Sequence, residues 1–157
     1  MFILPQYNLS KKFSHLLDTE RTILLFDKNL KCLSEKTLAS NNFNNIDKLL
    51  TIIKKIGFTG EKNQNISIPG ADYTPKNTQL TCVGIGDLEK FSKQIAAEIG
   101  ATIAKICQEQ NIAKANIFLE ENSNNLNTEK KLSIHYGICL GMYSFQNFLS
   151  KKQQHIL

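Results

Sequence analysis

Three groups of side chains in this sequence have types and spacings that could do chemistry. The first is Val83-Gly84-Ile85-Gly86-Asp87-Leu88-Glu89, a G-x-G that follows a strand-forming run and leads toward a helix. In a dinucleotide-binding turn, such glycines let backbone approach a pyrophosphate, and a third glycine lets helix and strand pack closely. The third position here is Glu89, and a carboxylate beside a helix N-terminus would repel phosphate. A tight strand-to-helix turn with Asp87 as N-cap is therefore the favoured reading. No G-K-[S/T] phosphate loop occurs.

The second group is the possible metal ligands and nucleophiles. The histidines are His15, His135 and His155, and none has a second histidine or a carboxylate at a ligand-like offset. An H-E-x-x-H zinc helix is absent. Cys32, Cys82, Cys107 and Cys139 form no C-x-x-C pair, which argues against a zinc knuckle or a thioredoxin-type motif. Cys82, Cys107 and Cys139 lie among apolar neighbours, as buried free thiols do. The third group is the carboxylate pairs Asp18/Glu20, Asp87/Glu89 and Glu120/Glu121. Acid–base work needs two carboxylates converging in a cleft with separated pKa values, and nearness in sequence does not supply that. A G-x-S-x-G elbow is also missing. These patterns yield no catalytic, cofactor-binding or metal-ligating residue.

The elements that would carry these residues alternate between strand and helix. Thr22–Phe26 is an unbroken apolar run, the mark of a strand buried on both faces. Phe2-Ile3-Leu4 would be a shorter strand ended by Pro5. Asn41–Asn45 reads as loop. Ile46, Leu49, Leu50, Ile53 and Ile56 keep helical spacing, with Gly57 placed as a C-cap. Asn65–Ile68 and Gln79–Val83 read as strands that could pair as a hairpin, with Gly70–Asn77 as the loop between them. An alanine-rich helix is expected from Asp87 to about residue 109, a strand at Ala115–Leu119 and a loop at Glu120–Asn127. A last helix over about 129–148, capped by Thr128, closes the pattern. The order predicts a three-layer α/β/α domain with a mixed central sheet.

Gly137 and Gly141 fall on one face of that last helix. Glycine inside a helix costs roughly 1 kcal/mol relative to alanine, so something must offset it. Close approach of another backbone would do so, and contact within the chain is favoured over a subunit contact.

The bulk numbers suit one domain with a sizeable core: 157 residues, 41% hydrophobic and 21% charged. No apolar run approaches the ~20 residues needed to cross a bilayer, and the opening residues do not form a secretory signal. A cytoplasmic protein without a membrane partner is the expectation. The net charge is +5, but of the 19 basic residues Arg21 alone is arginine. Base and phosphate readers lean on arginine's planar fork, and the lysines are scattered as isolated pairs. A solvated surface is favoured over a DNA-binding face.

In combination the segments resemble the N-terminal domain of the leucyl (cytosol) aminopeptidases. In that family a V-G-L-G-like strand end, an alanine-rich helix, a strand and a closing E-G-x-x-L-G-x-Y-x-F-like helix follow in order. Val83–Gly86, Ala96–Ala104, Ala115–Leu119 and Tyr136–Phe145 match these here, with Tyr136, Ser144 and Gln146 as departures. Phe58-Thr59-Gly60-Glu61 is similar to the family's F-x-G-K-like turn. The resemblance implies a macrodomain-like fold over residues 1–149, with 150–157 starting a linker to a peptidase domain. It implies a hexameric parent acting on peptides, with two divalent ions, zinc or manganese, and all catalytic groups in that following domain. A stand-alone nucleotide-binding module and a DNA-binding accessory domain are the alternatives.

Overall fold

The computed structural model describes residues 21–35, 45–70, 73, 79–119 and 126–153, with side chains described up to residue 143. The readings placed on Phe2–Leu4 and on most of the loops at 41–45, 70–77 and 120–127 lie outside these residues. The described elements are β1 (Arg21–Asp27), α1 (Ile46–Lys55), β2 (Asn65–Ile68), β3 (Gln79–Gly86), α2 (Lys93–Glu109), β4 (Ala115–Ile117) and α3 (Thr128–Gln153). The strands form one mixed sheet in the order β2-β3-β1-β4. β1 runs parallel to both β3 and β4, whereas β2 is antiparallel to β3, with Ile66 opposite Cys82. The hairpin expected between the two middle strands is thus present.

The alternation of side chains along β1 and β3 divides the core. Ile23, Leu25, Val83 and Ile85 point to one face, where Ile99 and Ile103 of α2 and Ile134 and Ile138 of α3 cover them. Leu24, Phe26, Leu80 and Cys82 point to the other, against Leu49 and Ile53 of α1 and the ring of Phe58. Phe58 meets Phe26 edge to face, with ring centroids 6.0 Å apart. Every residue of β1 is buried, and its apolar centre Ile23–Phe26 lies between the two helical layers. The result is the expected α/β/α arrangement.

Two helix starts differ from the sequence expectation. Asp87 caps only a single 3-10 turn, Leu88–Lys90, its carboxylate accepting from the Glu89 N–H at 3.0 Å. The chain then extends through Phe91, which is buried, and α2 begins under Ser92, whose hydroxyl accepts from Ile95 N–H. The competing cap wins because Phe91 must leave the helical path to reach the core. For α3 the cap is Asn127, accepting from Lys130 N–H at 3.0 Å, so Thr128 is already helical. The same helix continues to Gln153, past the end expected near residue 148. β4 is shorter than expected and only half-buried, being paired with β1 at Arg21–Ile23.

Candidate functional site

The C-terminal ends of β1 and β3 lie side by side, where ligands bind in many α/β sheets. Here both glycines of the G-x-G sit, and both face protein. A Cβ on Gly84 would lie 2.1 Å from the carbonyl oxygen of Glu61. A Cβ on Gly60 would lie 2.0 Å from the carbonyl oxygen of Asp27, and Gly60 also has φ +76°. The turn from Phe58 to Gln64 therefore rests directly on the strand ends, with no room for a methyl group.

Backbone hydrogen bonds fasten it. Gly84 N–H donates to Gln64 O at 2.7 Å, Asn63 N–H to Gly84 O at 3.1 Å, and Gly86 N–H to Gly60 O at 2.9 Å. Gln64 braces the turn from within, its Oε1 accepting from Thr59 N–H and its Nε2 donating to Gly57 O. α2 holds the far side, where Thr102 Oγ1 donates to Asn63 Oδ1 and Lys62 pairs with Glu98 at 2.7 Å. The donors a pyrophosphate would use are thus satisfied by the chain's own turn. The helix N-terminus is also displaced, since α2 starts at Lys93 rather than directly after Gly86.

Two of the carboxylates at this end are held by the chain itself. Asp27 is buried, and its Oδ1 accepts from the N–H groups of Asn29 and Lys31 at 2.9 Å each. Asp87 pairs with Lys28 at 2.6 Å. That hydrogen bond, helped by the Glu89 N–H, holds the Asp87 carboxyl below the ordinary range, and it raises Lys28 in return. Glu89 is exposed, and its backbone N–H, not its carboxylate, meets Asp87. The pairs Asp18/Glu20 and Glu120/Glu121, with His15 and His155, lie outside the described residues.

His135 is half-buried on α3, its Nε2 3.9 Å from the Cys139 thiol one turn later. None of the four cysteines is in a disulfide. Among the described residues no three His, Cys, Asp or Glu side chains cluster closely enough to hold a metal ion. None of the described helices is long and apolar enough to cross a membrane. Arg21 is buried, donating from Nη1 to Thr81 Oγ1 at 3.0 Å. Thr81 also shares a 2.9 Å hydrogen bond with Ser67. The sequence's one arginine therefore knits strands together and is not displayed to a phosphate backbone.

Cys82 gives this core a pH signature. Burial, reinforced by nearby Cys32, pushes its thiol up to about 12. An unfolded thiol titrates near ~8.5, so above that pH the unfolded chain loses a proton that the folded chain keeps. Stability should fall as pH rises from about 9 to 12, with Cys82 contributing about 1 kcal/mol per pH unit. Urea titrations across this range should show the slope, and Cys82→Ala should flatten it even if the variant is less stable at neutral pH.

The profile of the cytosol aminopeptidase family, N-terminal domain, matches residues 23–152. Among solved structures, a point mutant of tomato leucine aminopeptidase superposes with a TM-score of 0.56 at 17% identity. The alignment covers 84% of this chain and 27% of the tomato chain. At that identity the likeness is one of fold, and the chain spans about a quarter of that enzyme's length. A search of curated protein sequences found no significant match.

Proposed function

This chain belongs to the cytosol aminopeptidase family through its N-terminal domain, and from that premise we propose that it is the non-catalytic scaffold and assembly domain of a metal-dependent leucyl aminopeptidase. In this reading the parent enzyme releases N-terminal amino acids from peptides in the cytoplasm. A peptidase domain, joined beyond the end of α3 at Gln153, carries two divalent ions, zinc or manganese, and the catalytic side chains. The present domain contributes to subunit assembly in a homo-oligomer, a hexamer in the family. A macrodomain-like outline belongs to the same proposal.

One observation supports this reading above others. The glycines that could have opened a ligand site, Gly60 and Gly84, are instead in contact with the chain's own backbone. A stand-alone nucleotide-binding module needs that place open. A DNA-binding role would draw on arginine, and Arg21 is buried.

Hydrolysis tests the proposal. The purified chain should release no leucine from a leucyl anilide, with or without added zinc or manganese. Metal-dependent release above a mock preparation would show that the chain carries chemistry of its own.

A further inference from the structure

We propose that His135, Cys139 and Met142 form a binding site for a soft monovalent metal ion, Cu(I), on one flank of α3. The three follow one another at steps of four and three residues, which places them within about 60° of one another around the helix axis. All three are half-buried, between the buried Ile134 and Ile138 on one side and the exposed Tyr136 and Tyr143 on the other.

The first two donors already stand at the separation of a chelate. His135 Nε2 and Cys139 Sγ are 3.9 Å apart. An ion bonded at ~2.1 Å to an imidazole nitrogen and ~2.3 Å to a thiolate holds them about 3.6–3.8 Å apart, for bond angles of about 109–120°. Small side-chain rotations therefore admit an ion between them. Met142 supplies the third donor. Long side chains on a helix lean toward its N-terminus, which carries the thioether back over the turn that holds Cys139. Gln108 Nε2, reaching across from α2, lies 3.3 Å from Met142 Sδ and 3.5 Å from Met142 O. That contact keeps the sulfur on this flank and engages one of its two lone pairs, leaving the other for an ion.

The chemistry of the donors selects the ion. Thiolate and thioether sulfur favour Cu(I), and imidazole suits copper as well. No carboxylate joins the set, since the chain has no charged side chain from Leu132 to Ser150. Binding replaces the Cys139 thiol proton with the metal, so a monovalent ion leaves the half-buried site neutral. A divalent ion such as zinc would leave a net positive charge there, with no carboxylate on this stretch of helix to balance it. The other thiols compete poorly, because a thiol must lose its proton to bind metal. Cys32 and Cys82 are buried, and burial, reinforced by Cys32, pushes the Cys82 thiol up to about 12. Burial also raises the Cys107 thiol.

The proposal does not rest on the aminopeptidase reading and concerns no step of hydrolysis, so the two fail separately. Anaerobic titration of the 157-residue chain with Cu(I), against a chromophoric Cu(I) chelator, tests it. One equivalent should bind below about 1 µM free ion. X-ray absorption at the copper edge should show one nitrogen and two sulfur neighbours. Cys139→Ser should raise the Kd by more than the about 100-fold that loss of an outer-shell partner can cost. Met142→Leu, which keeps the side chain's bulk, should raise it about tenfold while leaving the metal-free melting curve unchanged. Zinc should bind at least about a hundredfold more weakly than Cu(I). A chain that takes up no Cu(I) below about 1 µM overturns the proposal. Copper binding that persists unweakened in either variant, or zinc binding as tight as copper, also overturns it.

Discussion

Gly137→Ala is expected to lower the melting temperature by about 6–12 °C, although alanine is the better helix former. The added methyl would lie 1.9 Å from the carbonyl oxygen of Ala97, where α2 and α3 cross. The contact is reciprocal: a Cβ on Gly100 of α2 would lie 2.0 Å from the carbonyl oxygen of Ile134. Real Cβ contacts stay beyond 3.0 Å, so the helices must part, loosening Ile99, Ile103, Ile134 and Ile138 together. Overpacking of a core costs about 1–3 kcal/mol and sometimes more, and a backbone obstacle belongs at the upper end. About 3 kcal/mol, at roughly 2–4 °C per kcal/mol for a chain of this size, gives the stated shift. A glycine facing solvent would instead gain about 1 kcal/mol from alanine, so the two readings differ in sign. Since the obstructing atoms are backbone, adding Ala97→Gly should not rescue the variant. Gly141 differs, because a Cβ there meets the Ala104 methyl at 2.8 Å. Ala104→Gly should accordingly relieve part of the cost of Gly141→Ala, and thermal melts of the two pairs check both statements.

Gly84→Ala should destabilise the fold by about 2–4 kcal/mol, through a different mechanism. Its methyl would lie 2.1 Å from Glu61 O and 2.6 Å from the carbonyl carbon of Gly60. The turn must lift off the strand, breaking the hydrogen bonds from Gly84 to Gln64 and from Asn63 to Gly84, and straining that from Gly86 to Gly60. Each is worth about 1 kcal/mol net, and more where a buried group is left unpaired. Urea denaturation should show the lower midpoint. Hydrogen exchange should show lost protection at the Asn63, Gly84 and Gly86 amides. An unchanged midpoint would mean that the space above Gly84 is open, as a ligand seat would be.

The sequence carried the local part of this architecture. β1 was legible because its centre, Ile23–Phe26, is buried on both faces and so reads as an apolar run with no alternation. α1 was legible because its apolar residues keep one face and Gly57, at φ +88°, ends it in the left-handed region. The close packing of Gly137 and Gly141 followed from the cost of glycine in a helix. What was not legible depended on distant neighbours. Gly100 looked like one more small residue in an alanine-rich helix, and its role appears only once α3 crosses it. Gln64 and Asn63 gave no signal, because their partners at Gly57 and Thr102 are set by how the turn docks. The G-x-G is a turn, as expected, but Asp87 caps only the 3-10 turn Leu88–Lys90 and not α2, and the glycines serve the turn around Gly60, 24 residues before Gly84.

The central claim is that the glycine-rich end of the sheet holds the protein's own backbone and not a ligand. Calorimetric titration of the 157-residue chain with NAD and with ADP-ribose tests it most directly. The account predicts no saturable heat up to about 1 mM ligand, because Glu61 and Gly60 occupy the approach to Gly84 and Glu89 stands where a third glycine would be needed. Saturable binding with a Kd in the micromolar range would contradict it and make this domain a nucleotide-binding module.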